Sequence, residues 1–252
     1  MSLGMDDYGP STYGDRIASI YDEMFEGKFD TEGAVSFLAE LAGTGPALEL
    51  GIGTGRVALP LADRGVEIHG IDASEAMVEK LRAKPGGDRI PITFKDFADV
   101  DVEGSFSLVF VVFNTLFALV NQEDQVRCFG AVAERLTPDG LFVLEAFVPY
   151  VSRFDRYHQR VEAGDLTLDR VRLELARHDP VTQRIDGQHV VISEKETKLY
   201  PVHLRYAWPS ELDLMAQLAS LRLRERWGSW RRDPFNESSE RHISVYSRAA
   251  ED

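Results

Sequence analysis

The sequence predicts an α/β fold with a mostly parallel sheet and an inserted antiparallel block. Three observations predict it. Between residues 46 and 150, short apolar runs alternate with stretches of helical periodicity, the order that builds a parallel sheet with right-handed crossovers. Directly after the first apolar run stands "GIGTG", three glycines spaced two apart, ahead of a helical pattern. From Val161 to Trp208 the apolar period changes to two, as in strands with one buried face.

The elements follow in order. Tyr13, Ile17, Ile20 and Tyr21 stand at helical offsets and predict one N-terminal helix over "YGDRIASIYDEMF". A second helix is expected from Glu32 to Leu41. "PALEL" (46–50) is the first strand, and Val57, Leu59 and Leu61 suit a helix ending near Gly65. "VEIHGID" (66–72) is the second strand, after which Ser74 caps a helix carrying Met77, Val78 and Leu81. "ITFKD" (92–96) is the third strand. "FSLVFVVF" (106–113) is apolar on both faces, as strands inside parallel sheets are. Val126, Phe129, Val132 and Leu136 line one face of the helix that follows, and "PDG" separates it from a fifth strand at 141–147.

In the period-two block, "IDGQ" (185–188) is a hairpin-turn signal. "PSELDLMAQLASL" returns to a helix, with Pro209 at its start. "LRLRERWGSW" and "RHISVYSRA" read as two closing strands of the main sheet. Residues 1–150 and 205–252 are therefore expected to form one core with N-terminal capping helices, and 151–204 an antiparallel insertion. The opening "MSLG" reads as an appendage ahead of Met5.

Charge narrows the function. Lys plus Arg number 28 against 42 Asp plus Glu, a net −14. A nucleic-acid backbone needs the opposite balance, so no nucleic-acid partner is expected, and no anionic membrane surface. A cationic or neutral small molecule is favoured. The longest uncharged stretch, Ser105 to Val120, falls short of the ~20 apolar residues of a membrane span. A single cysteine, Cys128, excludes an intramolecular disulfide and fits a reducing, cytoplasmic setting. A monomer or homodimer is expected. No paired His or Cys spacing suggests a metal, and His158, His178, His189 and His242 lack partner spacing.

The glycine run departs from the dinucleotide fingerprint G-x-G-x-x-G, because Arg56 occupies the last position. The run is instead Gly51, Gly53, Gly55, with Glu49 just ahead. Three bare positions let a ligand press against backbone. A carboxylate there repels a pyrophosphate but can pair with an amino-acid ammonium, so the ligand expected is a nucleoside with an amino-acid tail. Asp72, at the end of the second strand, can accept from ribose hydroxyls or serve as a helix cap. Asp96, ending the third strand, can accept from an adenine amine, with Met77 and Phe97 over the ring faces.

Together these elements resemble the class I S-adenosylmethionine-dependent methyltransferases. "LELGIGTGR", "GIDASEAMVEKLR" and "FKDF" stand in that family's order and spacing, closely over residues 45–150. The resemblance implies a Rossmann-like seven-stranded sheet and S-adenosylmethionine as cofactor, leaving S-adenosylhomocysteine. Glu49 and Gly51 would approach the methionine moiety, Gly53 and Gly55 would make room for sugar and sulfonium, Asp72 with Ala73 would hold the ribose, and Asp96 the adenine amine. "VVFNTLF" resembles the small-molecule branch, where Phe113 and Asn114 line the donor and Phe117 the acceptor side. The signature of nucleic-acid and protein-glutamine methylation is absent. The insertion is similar to that of sugar-amine and glycine-type N-methyltransferases, in which an N-terminal helix, here with Tyr13 and Tyr21, closes over the cofactor and the insertion covers the acceptor.

A hydroxyl acceptor would need a base, whereas an amine must only arrive neutral. His203 is the leading base candidate. It shares a strand face with Arg205, and its alternative is a solvent-facing lid histidine. Glu145, ending the fifth strand, faces either the acceptor or the core. Arg231 in "SWRRDPF" is a candidate for an acceptor carboxylate or phosphate, or a surface residue. The expected reaction is methyl transfer to an amine or hydroxyl of a small metabolite. A non-catalytic S-adenosylmethionine-binding protein and a nucleotide-dependent oxidoreductase are the rivals.

Overall fold

The structure is a computed structural model describing residues 8–43 and 45–249. The "MSLG" opening and Met5 lie outside the described residues.

Seven strands form the main sheet: β1 (Ala47–Leu50), β2 (Ile68–Asp72), β3 (Ile92–Phe94), β4 (Phe106–Val111), β5 (Leu136–Phe147), β10 (Leu221–Trp227) and β11 (Arg241–Arg248). Their order across the sheet is β10-β11-β5-β4-β1-β2-β3. β1 to β5 are mutually parallel, and β11 joins β5 antiparallel. This is the expected Rossmann-like seven-stranded sheet. β1 lies between β2 and β4, so the crossover direction reverses beside it. Ligands of open α/β sheets bind at the carboxyl ends of strands at such a point.

The helices form where caps and periodicity coincide. α3 (Thr31–Ala42) starts at Asp30, whose side chain accepts from Gly33 N at 3.0 Å, and it buries Val35, Phe37 and Leu38. α4 spans Ala58–Asp63. α5 (Glu75–Arg82) starts at Ser74, whose Oγ accepts from Met77 N at 3.2 Å. Asn121 caps α6 (Gln122–Arg135), which buries Cys128, Phe129 and Val132. α7 (Pro209–Leu218) opens on proline at its first position, where the missing N–H has no helical partner anyway.

Three local expectations are corrected. "PDG" (138–140), expected to separate α6 from the fifth strand, lies inside β5. The N-terminal segment is two short helices, α1 (Thr12–Ile17) and α2 (Tyr21–Phe25). A turn closed by Ile20 N donating to Ile17 O separates them, so the periodicity ran across a corner. "IDGQ" is not a turn, because Ile185–Gln188 lies inside β8 (Arg184–Ser193). The chain reverses earlier, after β7 (Arg170–Asp179), where Asp179 accepts from Val181 N and Thr182 Oγ1 and Gln183 adopts a φ of 58°. An aspartate-anchored turn outcompetes the Asp-Gly pair.

β6 (Gln159–Leu166), β7, β8 and β9 (Thr197–Arg205) form a separate antiparallel sheet in sequence order. It is tied to the core by a buried polar seam. Gln125 on α6 donates to Leu119 O and Arg205 O and accepts from Arg205 Nη1 at 2.7 Å, and Arg205 pairs with Glu211 at 2.6 Å.

Candidate active site

A cavity of about 280 Å³ opens at the carboxyl ends of β1, β2 and β4. Its floor is the β1–α4 turn. Gly51 has a φ of 69°, and a Cβ there would lie 2.5 Å from Thr115 Cγ2, so the turn tolerates only glycine. Gly53 N donates to Asp72 Oδ2 at 2.7 Å, while Ser74 N donates to Asp72 Oδ1 at 2.8 Å. One carboxylate thus ties the glycine turn to the start of α5 and still faces the cavity. Burial raises its pKa, against the pull of those two bonds.

Glu49 is 3% exposed, and its Oε2 is buried without a hydrogen-bond partner. Burial pushes its pKa up to about 8, helped by the charge of Asp72 and opposed by Arg56. Such an orphaned oxygen is costly unless a donor arrives. Tyr13 and Tyr21 cover the cavity from the N-terminal helices, and burial raises both phenols, Tyr21 to about 12. They stay neutral donors. Asp22 holds α2 against the glycine turn by accepting from Thr54 Oγ1 at 2.6 Å and pairing with Lys84 at 2.7 Å.

The far wall is a strained corner. Phe113 and Asn114 both adopt left-handed backbone, with φ of 55° and 61°. Non-glycine residues pay about 1–3 kcal/mol for such conformations and keep them only where the surroundings enforce them. Here Phe113 N donates to Glu145 Oε2 at 2.8 Å, and Asn114 Oδ1 accepts from Phe147 N at 2.6 Å. Phe113 thereby reaches the cavity, 3.9 Å between ring centroids from Phe29.

Of the residues singled out in the sequence, Tyr13, Tyr21, Glu49, Gly51, Gly53, Asp72, Ala73, Met77, Asp96, Phe97 and Phe113 line this one cavity. The others do not. Gly55 faces the core, where a Cβ would lie 3.0 Å from Leu81, so it serves helix packing. Asn114 spends its side chain on Phe147 N. Glu145 is buried, accepting from Phe113 N and from Trp230 Nε1 at 3.2 Å, so it shapes the corner and does not face an acceptor. Phe117 is fully buried against Phe147. Arg205 is consumed by the Gln125–Glu211 seam. Arg231 pairs at the surface with Asp30, 3.0 Å away. His203 binds Asp186 at 2.9 Å and meets the cavity only through Tyr8, whose ring centroid lies 4.2 Å from its own.

Sequence reasoning missed Tyr8 and Arg56, which both line the cavity. Arg56 donates to Thr31 Oγ1 at 3.0 Å and stacks over Phe29. It was visible only as a mismatch to the dinucleotide fingerprint. Tyr8 belonged to the tyrosine-rich stretch that supplied Tyr13 and Tyr21.

The charges define the ligand. Among the described residues, Glu49, Asp72, Asp96 and Asp124 line the cavity with a single cationic side chain, Arg56. That set suits a cation carrying one carboxylate and disfavours a pyrophosphate. A methyltransferase-domain family model matches residues 47–140. The solved structure of the CcbJ methyltransferase from Streptomyces caelestis superposes with a TM-score of 0.90 at 43% identity, over 96% of this chain and 100% of that one. The chain belongs to the class I S-adenosylmethionine-dependent methyltransferases. The cypemycin N-terminal methyltransferase of Streptomyces sp is 27% identical to this methyltransferase over 249 residues, 95% of the chain and 98% of that protein. The sugar N-methyltransferase KedS8 of Streptoalloteichus sp shares the fold, with a TM-score of 0.68 at 16% identity over 99% of each chain. Among the described residues no helix of the methyltransferase is long and apolar enough to cross a membrane.

Proposed function

We propose that this methyltransferase N-methylates a small molecule bearing an amine. One observation carries the choice of nitrogen over oxygen: among the described residues no histidine lines the cavity. A hydroxyl acceptor calls for a positioned base, whereas a buried amine sheds its proton to water and needs only alignment. The names of the cypemycin N-terminal and sugar N-methyltransferases support the same choice.

Bound S-adenosylmethionine would supply an electrophilic methyl group, given to the acceptor nitrogen with the C–S electron pair left on sulfur. The chain's own residues do the rest. Glu49 Oε2 would hold the donor's ammonium and Arg56 its carboxylate. Asp72 and Ala73 would hold the ribose, and Asp96 the adenine amine, with Met77 and Phe97 over the ring. Tyr13, Tyr21 and Phe113 exclude water around the reacting carbon, where alignment at ~3–3.5 Å does most of the work.

In this proposal residues 151–204 cover the acceptor, and 1–150 with 205–252 form the core. The protein works in the cytoplasm, as a monomer or homodimer, with no nucleic-acid or membrane partner. A methyl-transfer screen across amines, amino acids, amino sugars and hydroxy acids, read by mass spectrometry, tests it. N-methylated products are expected. Turnover of hydroxyl acceptors alone would overturn the nitrogen assignment.

A further inference from the structure

The inserted sheet has its polarity inverted. An antiparallel sheet with one face on a core ordinarily alternates apolar residues inward and polar residues outward. Here the face turned to the core carries Arg172 and Glu174 on β7 and His189 on β8, beside the apolar contacts of Val191, Tyr200 and Leu204. The opposite face is apolar. Its central row crosses all four strands as Ala163, Leu173, Val190 and Leu199, each the cross-strand partner of the next. The rows on either side pair Val171 with Ile192 and Val161 with Leu175. The polar members of those rows, Thr197 and Gln188, carry no charge. Charge returns in the next row, where Arg177, Asp186 and His203 stand in line. Among the described residues nothing covers the apolar rows. Val161 is 69% exposed, Leu199 52% and Ile192 41%, and none of these side chains joins a hydrophobic cluster of the chain.

The dimensions suit a partner of similar size. Four strands of eight to ten residues, about 4.8 Å apart and rising about 3.3 Å per residue, present a face of roughly 600 Å² in projection. Side chains standing on the pleat raise its accessible area towards the ~800 Å² that each partner gives to a standard interface. An apolar centre with charge at the rim is also the composition of homodimer interfaces. Charge identifies the partner. Each chain carries a net −14, so two copies repel unless they meet where charge is absent, and these three rows are such a place. A basic partner, which the net charge attracts, would find no acid on them. An anionic membrane would be repelled by the rest of the surface.

We propose that the protein is a homodimer in which the outer faces of the two inserted sheets pack against each other, across a two-fold axis near Leu173 and Val190 on the central strands. Of the two states allowed above this selects the dimer, and it does not rest on the choice of acceptor.

Sedimentation of the full-length protein tests it, from about 1 to about 100 µM, where an interface of standard size is populated. The expected species has twice the 28.3 kDa mass of the chain, half-dissociating below about 10 µM. Leu199 and Ile192 are exposed in the single chain, so Leu199→Glu and Ile192→Glu should keep wild-type far-ultraviolet circular dichroism and S-adenosylhomocysteine affinity. Each should weaken the dimer about a hundredfold or more, because two unpaired carboxylates are then buried in every dimer. The milder Leu199→Gln should weaken it about tenfold. Leu214→Glu, at an exposed leucine of α7 away from this face, should leave the dimer intact. A monomer throughout the range overturns the proposal. A dimer that survives the glutamate substitutions, or that Leu214→Glu dissociates equally, also overturns it, since the interface then lies elsewhere. A monomeric wild type that floats with phosphatidylcholine vesicles, and ceases to in Leu199→Glu, would give the face to a membrane and refute the dimer.

Discussion

On the proposed contact with the cofactor's ammonium, Glu49 should make cofactor affinity depend on pH. In the ligand-free protein burial pushes its pKa up to about 8. At pH 7 about nine in ten copies therefore carry the proton, and a neutral carboxyl is a poor partner for an ammonium. Binding must first remove that proton, at a penalty of about 1.4 kcal/mol at pH 7 and about 2.7 kcal/mol at pH 6. Affinity for S-adenosylhomocysteine should rise close to tenfold per pH unit from pH 6 towards 8, then flatten. Calorimetry at pH 7 in buffers of different ionisation enthalpy should show about 0.9 proton released per ligand bound. In Glu49→Gln the slope and the proton release should both vanish. The same shift has a stability consequence of opposite sense. The folded state binds this proton more tightly than the unfolded chain, so Glu49 favours folding below its ordinary carboxyl pKa, and that contribution is lost as pH rises towards about 8. The ligand-free wild type should thus lose stability across this window relative to Glu49→Gln. A Kd that is flat from pH 6 to 8, or an equal slope in the mutant, would refute the reasoning.

Three further outcomes are expected. Asp72→Ala should weaken S-adenosylhomocysteine at least tenfold in calorimetry and also lower the ligand-free Tm, because Gly53 N and Ser74 N both lose their acceptor at about 1–3 kcal/mol each; an unchanged Tm would mean the two N–H groups find water. Glu145→Leu should destabilise the protein by about 2–5 kcal/mol in urea titration by orphaning Phe113 N and Trp230 Nε1, and wild-type stability in that variant would leave the Phe113 corner unexplained. His203→Ala should keep kcat within about threefold on an amine acceptor, since His203 contacts Asp186 and Tyr8 and not the cavity; a hundredfold loss of kcat would make it the base.

The glycine-turn side of the cavity was legible in the sequence because local rules specify it. A glycine that must adopt positive φ, an acid at the end of a strand, and a serine three residues before the N–H it caps are all short-range patterns. Gly51, Asp72 and Ser74 therefore stand where their spacing put them. Glu145 and Asn114 show where such rules stop. Their strand ends were read correctly, yet which way a terminal side chain turns depends on Phe113 and Trp230, 32 and 85 residues away from Glu145. Arg205 and Gln125 were obscure for the same reason, since each becomes buried only because the other, 80 residues distant, satisfies it.

The inserted sheet depends almost wholly on such distant meetings. Glu174 and His189 face each other only because the chain turns at Asp179 and not at the Asp-Gly pair. A turn at 185–188 would have set a different register, and shifting a register by one residue exchanges the two faces of a strand. The glycine turn, by contrast, is fixed by groups close together in sequence on the parallel sheet, Gly51, Gly53 and Asp72. The two sheets can therefore change independently, because no residue of the inserted strands is needed to hold the glycine turn in its shape.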